Sequence, residues 1–132
     1  IPKNYMVGAN ELVLDSTHAM NSRIDVTECI IKDGTHSVTE SEVLEIVEKY
    51  FDDSKSGVGS VIIAEYISKV KKHGSYIYVY FDIATGNVLY QNRYKGAPSG
   101  MGFGVYWVNS FYETLKLHKI HVKAKRKELS IK

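Results

Sequence analysis

Residues 76–107 read YIYVYFDIATGNVLYQNRYKGAPSGMGFGVYW, and the order of elements in this stretch decides the fold class. Tyr76, Tyr78, Tyr80 and Asp82 alternate with Ile77, Val79, Phe81 and Ile83, the period of two that sends successive side chains to opposite faces of a strand. A strand is expected from Ser75 to Ile83, with its aliphatic side on the core. Thr85-Gly86-Asn87 breaks the alternation with turn residues, so the chain should double back into a second strand over Val88 to Tyr94 and close a hairpin. Gly96, Gly100, Gly102 and Gly104 follow. From Val105 to Leu117 an apolar stripe of Tyr106 or Trp107, Phe111 and Leu115 has helical spacing. A hairpin feeding a helix without a polar linker points to an α+β domain.

Toward the amino terminus, Val61 to Lys71 carries two signals. Ile62, Tyr66 and Val70 have helical spacing, but the β-branched density of Val61, Ile62, Ile63, Ile67 and Val70, and the Lys-Lys-His-Gly-Ser turn that follows, favour a strand. Asp52 to Gly59 is a polar loop. A helix is expected from Glu40 to Phe51: Thr39 and Glu42 form a capping box, Val38 and Val43 a hydrophobic staple, and Val43, Val47, Tyr50 and Phe51 line one face. Its acids stabilise the positive end of the helix dipole, which is a structural role. Glu11 to Leu14 and Ile24 to Ile31 read as strands, the second ended by Asp33-Gly34. Near the carboxy terminus, Ile120, Val122 and Ala124 alternate with His121, Lys123 and Lys125, as in an edge strand whose lysines discourage aggregation. The expected architecture is a mostly antiparallel sheet of five or six strands with two helices packed on one face.

At 132 residues and 44% apolar composition, the chain has core enough for one domain spanning 1–132, whereas two would be starved of it. No uninterrupted apolar run of about 18 residues is present, so no membrane-spanning helix is expected. Cys29 stands alone, which excludes an intramolecular disulfide and a multi-cysteine zinc site; it reads as a buried thiol on a strand. The net charge of +2 hides an asymmetry. Residues 11–53 hold eleven acids against three bases, 3 − 11 = −8, and residues from 54 onward hold thirteen bases against four acids, 13 − 4 = +9. Such halves either attract each other within the fold or mark a nucleic-acid or membrane-facing tail.

Complete catalytic signatures are missing. The glycine series lies where a phosphate cradle would sit, yet it lacks the Lys-Ser/Thr of a Walker loop, and Val105 occupies the third glycine of a dinucleotide fingerprint. A shaped loop without nucleotide is the expectation. Gly102-Phe103-Gly104 has part of an RNA-recognition strand motif, but Met101 replaces its leading cation. Tyr76, Tyr78 and Tyr80 form either an open stacking face for bases, aided by the basic tail, or a stripe half-buried under a helix or another chain. His118 and His121 are three apart, as metal ligands on a helix can be, but no acid before Glu128 completes a shell. His18 and His36 neighbour Asp15, Ser16, Ser37 and Thr39 without any G-x-S-x-G, H-E-x-x-H or Cys-His pattern. The expectation is no catalytic residue, no metal and no cofactor.

Phe81-Asp82-Ile83-Ala84-Thr85-Gly86-Asn87-Val88-Leu89, then Gly96, then Gly100-Met101-Gly102-Phe103-Gly104 and Tyr106-Trp107 carry a resemblance to small exported bacterial domains. The stretch resembles the α/β domains of envelope lipoproteins related to curli-secretion and Tol-system assembly proteins, in which an Asp-x-x-Thr-Gly hairpin and a glycine-rich loop lead into a long amphipathic helix. The resemblance covers about residues 60–117. It implies a non-enzymatic domain, periplasmic or secreted or associated with the outer membrane, that binds a protein partner or self-associates. Gly100, Gly102, Phe103, Gly104, Tyr106 and Trp107, with the Tyr76, Tyr78, Tyr80 face, are the expected partner-binding residues. A nucleic-acid-binding domain using the tyrosine face and basic tail is the alternative.

Overall fold

The computed structural model describes residues 15–23 and 36–130. The strands expected at 11–14 and 24–31, and Cys29 with them, lie outside the described residues. Six elements follow in order: α1 (Asp15–Asn21), α2 (Glu40–Glu48), β1 (Val58–Ser68), β2 (His73–Asp82), β3 (Val88–Gly96) and α3 (Phe103–Ser130). The class is α+β, but among the described residues the sheet has three strands, in the order β1-β2-β3, and both pairings are antiparallel. The expected five or six strands with two helices are corrected to three strands and three helices.

The alternation along β2 places the helices. Ile77, Val79 and Phe81 pack with Ile63 of β1 and with Val38, Val43 and Val47, so α2 covers the aliphatic face. Tyr76 and Tyr78 point the other way and pack with Tyr94 and Leu115, so α3 covers the tyrosine face. The two long helices therefore lie on opposite faces of the sheet, not on one. Both sides of β2 are buried because each has its own helix, which its alternation of aliphatic and aromatic residues accommodates.

Local chemistry accounts for the ends of the elements. Thr39 caps α2, its Oγ1 accepting from the Glu42 amide at 3.2 Å, while the Glu42 carboxylate pairs with His36 at 3.5 Å. The helix stops at Glu48, short of the expected Phe51, because the Lys49 and Tyr50 amides bond three residues back, to Ile46 and Val47, in a tightened last turn. In the hairpin, Asp82 Oδ1 accepts from the amides of Ala84 and Thr85 at 3.0 and 3.1 Å, and Gly86 takes a φ of +74°. The expected turn stands as read.

The largest departure is at the carboxy-terminal end. Residues 120–125, expected as an edge strand, belong to α3, which runs on to Ser130. Alanine, lysine, arginine, glutamate and leucine dominate 123–129, all strong helix formers. A helix also brings His118 and His121 onto one side, where both reach tyrosines of the sheet. No helix among the described residues is long and apolar enough to cross a membrane.

Candidate functional site

The seam between α3 and the sheet is built from polar side chains. Ser110, Thr114 and His118 recur every four residues, and all three are buried, so they form the inner face of the helix. Ser110 Oγ donates to the Gly96 carbonyl at 2.6 Å and accepts from the Gly74 amide at 3.2 Å. Gly74 and Gly96 are partners across β2 and β3, so one hydroxyl ties both strands to the helix. Thr114 donates to the Phe111 carbonyl at 2.7 Å, which leaves its oxygen to accept from the Tyr78 hydroxyl at 2.8 Å.

One turn further, His118 is 1% exposed, and both ring nitrogens are occupied. Nε2 meets the Tyr80 hydroxyl at 2.6 Å and Nδ1 the Tyr94 hydroxyl at 3.0 Å. The Tyr80 ring stacks at 5.7 Å, while Tyr78 lies tilted at 4.6 Å between centroids. His121 repeats the contact, with Nε2 2.6 Å from the Tyr90 hydroxyl. Burial, and then the neighbouring His121, hold the His118 imidazole below its ordinary pKa. Burial pushes the Tyr78 and Tyr94 phenols up to about 12. A neutral imidazole has one donor and one acceptor, so one of the two tyrosines donates to His118 and the other accepts from it. Neither nitrogen is left for a substrate proton or a metal. The pairing makes the seam a structural clasp at neutral pH.

This geometry settles where the tyrosine stripe lies. Tyr76 and Tyr78 are buried and Tyr80 is half-buried, all beneath α3, which is the helix-covered arrangement and not an open stacking face. The glycine segment has the opposite character. Gly100 and Gly102 take φ of +98° and +87°, a backbone that side chains resist, whereas Gly104 lies within the first turn of α3. The three therefore do not share one face of an extended segment. Asn109 Nδ2 donates to the Ser99 carbonyl at 2.9 Å and pins the turn to the helix. Met101 is 91% and Phe103 84% exposed, followed by Val105 at 55% and Val108 at 47%. Tyr106 and Trp107 are half-buried and meet edge to face, with centroids 5.1 Å apart.

A third constellation escaped the sequence. Glu65 lies at the register irregularity of β1, on the aliphatic face, and is buried. Its carboxylate accepts from the Val38 amide at 2.7 Å, from Ser75 Oγ at 2.8 Å, and from Arg93 Nε and Nη2 at 3.0 and 2.9 Å. Burial alone would raise its pKa, but the Val38 amide, the Arg93 guanidinium and the Ser75 hydroxyl together hold it below the ordinary value. Every oxygen of the group is engaged, so this is a brace joining all three strands to the segment before α2. The signal available in sequence was a lone acid within the β-branched run of 61–70, two residues on from the buried Ile63.

The remaining candidates do not assemble. His18 is exposed on α1, and the ion-pair partner of His36 is Glu42. Among the described residues no group of three His, Cys, Asp or Glu side chains stands close enough to hold a metal ion. Met101, Val105, Val108 and Tyr112, further exposed apolar side chains of the turn and the first turns of α3, were not among the expected partner-binding residues. Comparison of the chain with protein-family models, with curated proteins and with solved structures finds no match in any of the three.

Proposed function

We propose that this chain is a non-enzymatic protein-binding domain that presents the glycine turn and the amino-terminal end of α3 to a partner protein or to a second copy of itself. The observation that carries the reading is the run of exposed apolar side chains there. Val105, Val108 and Tyr112 follow i, i+3, i+7 along one flank of the helix, with Met101 and Phe103 at its start, and each of the five is exposed. Apolar side chains gathered on one surface patch mark interaction sites more often than isolated ones do, and aromatic anchors dominate interface energetics. Two left-handed glycines and the Asn109 bond hold the turn in shape, so little order remains to be gained on binding. The clasped Tyr–His seam and the fully bonded Glu65 leave neither group free for acid–base chemistry, which supports a non-enzymatic reading. Placement in the envelope or outside the cell belongs to the same proposal and rests on the resemblance of residues 60–117 to exported domains.

A photo-crosslinking side chain placed at position 103 or 108 in the expressing cell tests the proposal, with exposed Gln91 on the far face of the sheet as control. Discrete adducts at 103 and 108, absent at 91 and weakened by Val105→Asp, are expected. Equal, featureless labelling at all three positions would overturn it.

A further inference from the structure

Four side chains that tie α3 to the sheet differ in kind. Ser110 and Thr114 bind through hydroxyls that do not titrate in any ordinary buffer, whereas His118 and His121, next along the helix, bind tyrosine hydroxyls through imidazoles. We propose that α3 is a two-part clasp in which the Ser110 and Thr114 attachments hold at all moderate pH values, while the His118 attachment to Tyr80 and Tyr94 weakens in mild acid and loosens the helix from His118 onward. This inference is independent of the binding function proposed above.

The geometry carries the argument. Tyr78 and Tyr80 face His118 from β2, Tyr94 faces it from β3, and Thr114 and His121 lie on its own helix. Tyr90 of β3 faces His121, and Ile62 is the β1 contribution to the same cluster. The titratable groups meeting His118 from the described elements are thus phenols and a second imidazole, with no carboxylate to balance a positive charge. Protonating His118 turns its one acceptor nitrogen into a donor. The tyrosine that had been donating to that nitrogen must then rotate its O–H away, and the bond that tied it to the helix is lost. Burial and His121 both oppose the charged form of His118, so the folded clasp binds that proton more weakly than the freed helix does. By linkage, the stability held in the clasp is complete above the unfolded imidazole value and falls as pH drops below it.

The test is amide hydrogen exchange on the full chain at about pH 7.5 and about pH 5, expressed as protection factors so that intrinsic exchange rates cancel. Amides of 118–127 should lose protection by about tenfold or more at the lower pH, while those of Ser110 to Thr114 and of β2 keep theirs. His118→Gln, whose amide both donates and accepts but does not titrate in this range, should remove most of the pH dependence. An equal loss across α3 and β2, or an undiminished effect in His118→Gln, would overturn the proposal. Should that variant not fold, the His118 ring is followed by NMR in the unaltered chain. Because the folded ring binds its proton more weakly, its titration midpoint should lie below the pH at which protection begins to fall, and protection lost only below that midpoint refutes the clasp.

Discussion

Gly96 lies directly beneath Ser110, so close that a Cβ built on the glycine would overlap the Ser110 carbonyl oxygen. The backbone of α3 thereby rests on the backbone of β3, and Ser110 Oγ reaches the Gly96 carbonyl at 2.6 Å. Gly74, paired with Gly96 across the strands, would meet the Ser110 hydroxyl with its own Cβ at 2.8 Å. Two facing glycines let the helix and sheet approach to hydrogen-bonding distance.

Gly96→Ala should therefore destabilise the fold by about 1–3 kcal/mol or more, since a backbone atom, unlike a flexible side chain, has nowhere to retreat. Gly104→Ala is the control: nothing lies within 4 Å of a Cβ at that position, and it sits in the first turn of α3. Chemical denaturation should show a large loss for the first and little or none for the second.

Glu65→Ala should cost about 3–5 kcal/mol, because it leaves the Arg93 guanidinium, the Val38 amide and the Ser75 hydroxyl without their shared acceptor. The Glu65 carboxyl has a depressed folded pKa. Its contribution is present above the unfolded value and fades as pH falls through that value toward the folded one. Acid titration of the denaturation midpoint should show the wild-type chain losing this increment and the variant lacking it.

Thr39→Ala should lower stability by about 0.5–2 kcal/mol, since the Glu42 amide would lose its acceptor. Thr39→Asp should retain the cap. Thermal melts followed by circular dichroism distinguish the two variants, and an unchanged midpoint in Thr39→Ala would mean the cap contributes nothing.

Alkali should act on the tyrosine face. Tyr78 and Tyr94 have folded pKa values of about 12, above the unfolded phenol value of about 10. A raised folded value means that stability is intact below about pH 10 and is lost as pH climbs toward 12. Tyrosinate absorbance should rise together with the loss of circular dichroism in that window. A phenol signal completed before the fold is lost would show these hydroxyls to be accessible.

Sequence by itself determined the local elements whose signals are carried by neighbours along the chain. The Thr39 cap, the Asp82–Gly86 turn and the alternation of Tyr76 to Phe81 each depend on side chains a few residues apart, and each stands where it was read. The β-branched density of 61–70 likewise outweighed its helical spacing correctly, because strand pairing rewards stiff, branched side chains. What only the tertiary structure decided was which faces meet. The buried side of α3 is made of Ser110, Thr114 and His118, residues that a hydropathy reading assigns to solvent, and they are buried because Gly96, Gly74, Tyr78, Tyr80 and Tyr94 supply hydrogen-bond partners from strands 14 to 38 residues away. Without those partners in view, the apolar alternation of 120–124 reads as a strand, and the two helices have no reason to take opposite faces. A polar group enters a core only when its partner is already there, and that partnership is a property of the folded chain, not of any stretch of its sequence.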